Sequence, residues 1–275
     1  MKVFFTDRMV AESSSFSPSA HKPRAVVRSW QALGIPFELV EPEAVTIDQI
    51  ALAHDRLFVE EVLSGKRENG FGNRSSAIAA SLPYTSGSLL AAARSAIQDR
   101  GTAVAPCSGF HHAGYASAGG FCTFNGLMVT ACVLHDEKRA KRVGILDFDQ
   151  HWGDGTEEVV AALGASWIRH YSAGAIWHTP SQATRFLKSI PSIVEMMSDC
   201  DVILYQAGAD PHIDDPLGGW LTLTQLRERD RIVFEMARHY GVPIAWNLAG
   251  GYQNPLRKVL DIHDNTMIEC AAMFG

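Results

Sequence analysis

The segment VGILDFDQHWGDGT, residues 143–156, constrains the fold more than any other stretch of the chain. Val143, Ile145 and Leu146 are interrupted only by a glycine. That is the pattern of a strand buried on both faces of a parallel sheet, which needs helices on either side. The chain then turns polar, and if the extended conformation continues, Asp147, Asp149 and His151 emerge on one side and Phe148 and Gln150 on the other. Gly153 and Gly155 permit a sharp exit, and Asp154 with Thr156 can cap the helix suggested by EEVVAAL. The cluster therefore falls at the carboxyl end of a strand, where open α/β sheets bind ligands. A lone Asp there is often only a helix cap, and a lone His a structural group. Three carboxylates and a His within eight residues are different. Burying carboxylates without a counter-charge costs several kcal/mol each, so these call for a cation or a shared proton.

Strand and helix signals alternate along the rest of the chain. Strands are expected at Val3–Phe5, Phe37–Val40, Thr102–Ala105, Trp167–Tyr171, Val202–Tyr205 and Pro243–Leu248. Helices are expected from Pro23 through Trp30, between Ile47 and Leu63 with a break at His54-Asp55, from Pro83 to Ile97, from Leu127 to His135, and from Thr224 to Tyr240. At the break, Asp55 or His54 is read as a helix cap and no more. The small residues of the Pro83 helix suit close packing on a sheet. The polar stretch KRENGFGNRSS is expected to be a long loop of the kind that shapes active sites. The alternation predicts an α/β fold, a three-layer sandwich with a central, mostly parallel sheet.

Composition narrows the function. At 275 residues and 47% hydrophobic the chain can bury a full core, and it is read as one domain, 1–275. A net charge of −6 and no basic stripe argue against a nucleic-acid partner. Five scattered cysteines suggest reduced thiols, charges at Asp7 and Arg8 break any signal-peptide core, and no stretch approaches 18 apolar residues. A cytoplasmic protein without membrane partners is the expectation. Nothing fixes its oligomeric state, and a homo-oligomer is left open.

Polar strand ends recur. PCSGFHHAGYASAGGFCTFNG follows the Thr102 strand and carries the tandem pair His111-His112, which in an extended segment point to opposite sides and need separate partners; Asp147 and Asp154 are available. QAGADPHIDDPLGG follows the Val202 strand and brings Asp210 to the same rim, while Asp214 and Asp215 read as loop or cap residues. AGGYQNP ends the last strand with Tyr252. Asp149, His151 and Asp210 together offer a divalent metal three protein ligands and an open position, the arrangement of a catalytic site. Zinc is the first expectation, and the oxygen-rich set also accepts Fe²⁺, Co²⁺ or Mn²⁺. Such an ion brings bound water towards a pKa of ~7, His111 and His112 can take and return a proton, and Tyr252 can donate to a developing oxyanion. Metal-assisted amide hydrolysis uses all of these groups.

GFHHAG, GGFCTFN, ILDFDQHWGDGT, AGADPHIDDPLGG and AGGY, in this order from about Ser81 to Tyr252, resemble the histone deacetylase family, which includes acetylpolyamine amidohydrolases. The resemblance implies an arginase-deacetylase fold and a deacetylase acting on an acylated amine, either a small molecule or a peptide. It implies zinc on Asp149, His151 and Asp210, a general acid-base pair in His111 and His112 oriented by Asp147 and Asp154, and a carbonyl-polarising Tyr252. It also implies a potassium site to which Asp147 contributes, and substrate contacts from Gly120 and Phe121, with Cys122 beside them as a wall residue. Trp152 stands where the family has a second His, and HYSAGAIWHTP departs where the family has a potassium contact and a second wall aromatic, for which Trp177 is the candidate. An arginase-like ureohydrolase with two Mn²⁺ ions is the rival enzyme. Gly153 and His212 stand where its patterns need Asp. A non-catalytic acyl-amine binding protein is the rival of another class, and retention of Tyr252 and both histidines argues against it.

Overall fold

The computed structural model describes residues 1–13 and 15–275. Seven strands form one sheet: β1 (Lys2–Phe4), β2 (Glu38–Val40), β3 (Thr102–Ala105), β4 (Val143–Asp147), β5 (Ile168–Ser172), β6 (Val202–Gly208) and β7 (Ile244–Ala249). Every pairing is parallel, in the order β2-β1-β3-β7-β6-β4-β5. These are the seven expected strands, with ends that differ by up to three residues, the largest being β6, which runs on from Tyr205 to Gly208. β4, β6 and β7 are buried along their whole length.

Alternation along the strands divides the core into two layers. Leu146, Ile203, Tyr205, Ile244, Trp246 and Leu248 face one cluster, with α1 (Lys22–Ala32), α7 (Ala183–Glu195), α8 (Leu223–Tyr240) and α9 (Arg257–Phe274) packed on it. Val143, Ile145, Val202, Leu204 and Ala245 face the other, under α3 (Arg56–Leu63), α4 (Ser76–Asp99), α5 (Gly126–Asp136) and the short α2 (Ile47–Ile50). The chain is therefore a three-layer α/β sandwich, as expected. The small residues Ser88, Ala92, Ala93 and Ala96 lie buried on α4, as its composition suggested. That helix starts seven residues before Pro83, because Ser75 caps it by accepting from the Ile78 N–H at 3.4 Å. None of the described helices is long and apolar enough to cross a membrane.

Register explains why the polar strand ends share a rim. Asp147 is level with Gln206 on β6 and Ser172 on β5, Gln206 with Asn247 on β7, and Asn247 with Ala105 on β3. The loops after β3, β7, β6 and β4, four adjacent strands, thus leave the sheet at one height.

The break at residues 54–55 does more than cap. Asp55 does accept from the Phe58 N–H at 2.8 Å. His54 is buried: its Nδ1 donates to the Gly114 carbonyl at 2.9 Å and its Nε2 accepts from the Asn125 N–H at 2.8 Å, tying α3 to the histidine-bearing loop. Burial lowers its pKa to about 4, and a proton on Nε2 would face the Asn125 N–H. A His with a depressed folded pKa stabilises fully above its unfolded value of 6.5 and loses that contribution as pH falls towards 4. The loss over that window is roughly 3 kcal/mol. Urea midpoints of the wild type are therefore expected to fall more steeply between pH 7 and 4.5 than those of His54→Gln; parallel curves would contradict this.

Candidate metal centre

β4 ends at Asp147, and the extended conformation does not continue beyond it. Instead two turns follow each other: Asp147 Oδ1 accepts from the Asp149 N–H at 3.1 Å, and Asp149 Oδ1 accepts from the His151 N–H at 2.9 Å. Each Asp side chain ties its own backbone two residues on, the habit that suits Asp to turns. The alternation read from the sequence is thereby replaced by a coil that folds His151 back onto Asp149. The loop after β6 brings Asp210 to the same point. His151 Nδ1 lies 3.2 Å from Asp149 Oδ1 and 3.1 Å from Asp210 Oδ2. One ligand atom from each of Asp149, His151 and Asp210 lies within 4.8 Å of the others. Gly250 (φ +47°) closes the back of the site, where a Cβ would overlap the Asp210 carboxylate.

The charges fit a cation. Asp149 and Asp210 are both buried. Burial, and then the negative charge of Asp149, push the Asp210 carboxyl up to about 7. Asp149 resists the same burial because His111 and His151 hold it below the usual carboxylate range. Hydrogen bonds to Asp149 and Asp210 raise His151 to about 11. A site in which one acid and one base must both leave their ordinary ranges to coexist lacks positive charge. Two carboxylates and an imidazole are a donor set for a borderline divalent ion.

The β3 loop supplies the imidazole pair. His111 Nδ1 donates to Asp147 Oδ2 at 2.7 Å, and His112 Nδ1 donates to Asp154 Oδ1 at 2.7 Å. A carboxylate can only accept, so both Nε2 atoms are left free to carry or receive a proton. Each histidine has its own Asp, as expected, but the rings do not point apart; their centroids are 4.1 Å from each other. Burial would lower His111, yet the carboxylates of Asp147 and Asp149 outweigh it and hold it at about 9. His112 moves down, through burial and then the His111 charge. Asp154 is the first residue of α6 (Asp154–Leu163), and its Oδ1 accepts from the Gly155 N–H at 2.9 Å as well as from His112.

A narrow cavity lies over the cluster, lined among others by His111, Gly120, Cys122, Asp149, Gly250 and Tyr252. Phe121 adopts φ +63° and is held by its N–H bond to the Gly70 carbonyl at 2.9 Å, so the KRENGFGNRSS loop does shape the site. The Phe121 ring lies 5.7 Å from Tyr252, 5.8 Å from Phe71 and, edge-on, 5.3 Å from Phe16. Trp177 does not take part. It is buried, donates its indole N–H to the Tyr171 hydroxyl at 2.8 Å and packs on Phe186, so it is no wall of the site; Phe121 is met edge-on by Phe16 from the N-terminal loop. Sequence reasoning also missed Lys22, whose buried ammonium donates to the Gly250 carbonyl. Asp215, read as a loop or cap residue, does tie its own turn by accepting from the Leu217 N–H at 3.0 Å, and its Oδ2 also accepts from the Tyr252 N–H at 2.8 Å.

Comparison with known proteins agrees with this architecture. The chain is 26% identical over 280 residues to an uncharacterized protein of Picosynechococcus, covering 90% of this chain and 91% of that one. Its fold matches the HD domain of HDA15 with a TM-score of 0.79 at 18% identity, over 98% of this chain and 88% of that one. It matches an acetylpolyamine aminohydrolase from Burkholderia pseudomallei with a TM-score of 0.76 at 19% identity, over the whole of both chains. The fold is the arginase-deacetylase fold. The family model described as the histone deacetylase domain matches residues 18–168 and 160–265, which span every strand-end loop described above. The chain belongs to the histone deacetylase family, hydrolases acting on amide bonds.

Proposed function

We propose that the chain is a zinc-dependent deacetylase, a single catalytic domain that hydrolyses the acyl amide of an acylated amine. The convergence of Asp149, His151 and Asp210 beneath the cavity lined by His111 and Tyr252 carries this reading. In it, Asp149, His151 and Asp210 hold the ion, with zinc ahead of Fe²⁺ or Co²⁺ for this N,O donor set. When bound, the ion supplies Lewis acidity and an acidified water. The remaining work is done by the chain. Asp147 and Asp154 fix the tautomers of His111 and His112 so that both Nε2 atoms serve proton transfer, one taking the proton from water and the pair returning it to the leaving amine. Burial, followed by the charges of Asp210 and Asp149, raises the Tyr252 pKa, so its hydroxyl stays a donor for the acyl oxygen. Phe121 stacks on the substrate stem, and the Gly120 carbonyl accepts the amide N–H. Five free, buried cysteines support a reducing, cytoplasmic setting.

The substrate is either acetyl-lysine in a peptide or a small acetylated amine. An assay of acetyl-lysine peptide, acetylputrescine and acetylspermidine separates these. The expected result is hydrolysis of at least one, abolished by chelation and restored by zinc, iron or cobalt. No hydrolysis of any of the three by the metal-loaded protein would overturn the reading.

A further inference from the structure

The two loops that carry the carboxylate ligands are joined from behind by one buried side chain. After Asp147 and Gln206 pair in register, the Phe148 N–H still reaches the Gln206 carbonyl at 3.1 Å, and then β4 and β6 give way to the loops holding Asp149 and Asp210. The loops remain in contact: a Cβ at Gly208 would stand 2.6 Å from both the Asp149 Cα and the Phe148 carbonyl oxygen. Arg229, from α8, meets them there. Its Nη1 donates to the Phe148 carbonyl at 3.1 Å and to the Gly208 carbonyl at 2.7 Å. These carbonyls belong to the residue before one ligand and the residue two before the other. Arg229 is itself held, its Nε donating to Asp230 Oδ1 at 2.8 Å. Asp230 is fixed in turn by the Tyr205 hydroxyl and, at 2.6 Å, by the Thr266 hydroxyl of α9. Arg229 and Asp230 are both fully buried.

Helix–sheet packing alone does not call for such a pair, since buried ion pairs are often replaced by apolar side chains without loss of stability. Bringing two carboxylates together does call for something, because like charges drive the loops that bear them apart. We propose that Arg229, oriented by Asp230, is a positioning residue that sets the separation of Asp149 and Asp210 and so the affinity of the site for its divalent ion. This rests on the metal site proposed above. Nη1 holds both carbonyls while Nε, in the same rigid plane, is tied to Asp230, an arrangement of donors that an ammonium on a flexible stem does not reproduce.

The test is titration of metal-free protein with Zn²⁺ against a competing chelator, and with Co²⁺ followed by its visible absorption, for the wild type, Arg229→Lys and Asp230→Asn. For Arg229→Lys the expected result is zinc affinity lower by ~10–100-fold, the range for losing an outer support of a metal ligand, with an altered Co²⁺ spectrum. At saturating zinc, kcat is expected to recover towards wild type with KM unchanged. Asp230→Asn is expected to move affinity in the same direction by a smaller factor. A folded Arg229→Lys that binds zinc within twofold of wild type with the same Co²⁺ spectrum would overturn the proposal. So would failure of both variants to fold, which would make the pair structural. Absence of metal binding in the wild type would instead overturn the function proposed above.

Discussion

Tyr252→Phe is expected to bind metal as the wild type does and to lose turnover by ~10²–10³-fold, the usual cost of removing one donor to a developing oxyanion. The Tyr252 backbone is anchored by Asp215, and its ring is held against Phe121 and Phe16, so the phenyl ring of the variant should stay in place. The hydroxyl has no hydrogen-bond partner among the described residues and borders the cavity above Asp149, so nothing in the fold requires it. Because it acts only on charge that develops during reaction, KM should change little while kcat falls. Steady-state kinetics alongside zinc titration check both halves. Unchanged turnover would remove Tyr252 from the reaction; lost metal would make it a structural support.

Much of this site can be read from the chain because parallel strands announce themselves as short apolar runs, and their polar ends then stand out. β1, β3, β4, β6 and β7 are visible in that way, while the edge strands β2 and β5 carry charged residues within them, and the strand order brings four strand ends together. That Asp147 and Asp154 serve the two histidines follows from counting unpartnered groups, whereas the pairs themselves, His111–Asp147 and His112–Asp154, come from the fold. What escapes is what depends on the path of the chain between distant residues. His54 meets partners 60 and 71 residues away, and Lys22 reaches Gly250 across 228. Arg229 reads as one more charge on an amphipathic helix, because nothing local to α8 says that two carbonyls wait behind the sheet. Trp177 misleads for the same reason: it is the aromatic that HYSAGAIWHTP offers where the resemblance implies a wall, yet Phe186 and Tyr171 draw it into the core.

Asp210→Ala is expected to abolish the metal site. Structural zinc sites with four ligands bind with about 10–16 kcal/mol, or roughly 3–4 kcal/mol per ligand, so losing one of three weakens binding on the order of 10²–10³-fold. The fold should not suffer. A carboxyl whose folded pKa of about 7 lies above the ordinary 3.8 costs stability once pH exceeds 3.8, fully so above 7. Without metal at pH 8 the variant should thus be at least as stable as the wild type, while the rise in Tm that excess zinc gives the wild type disappears. The most direct measurement is the zinc content of metal-loaded wild type and Asp210→Ala after gel filtration. One zinc per wild-type chain and almost none per variant chain is the predicted result; a variant that keeps its full complement, or a wild type that holds none, would contradict a single ion held by Asp149, His151 and Asp210.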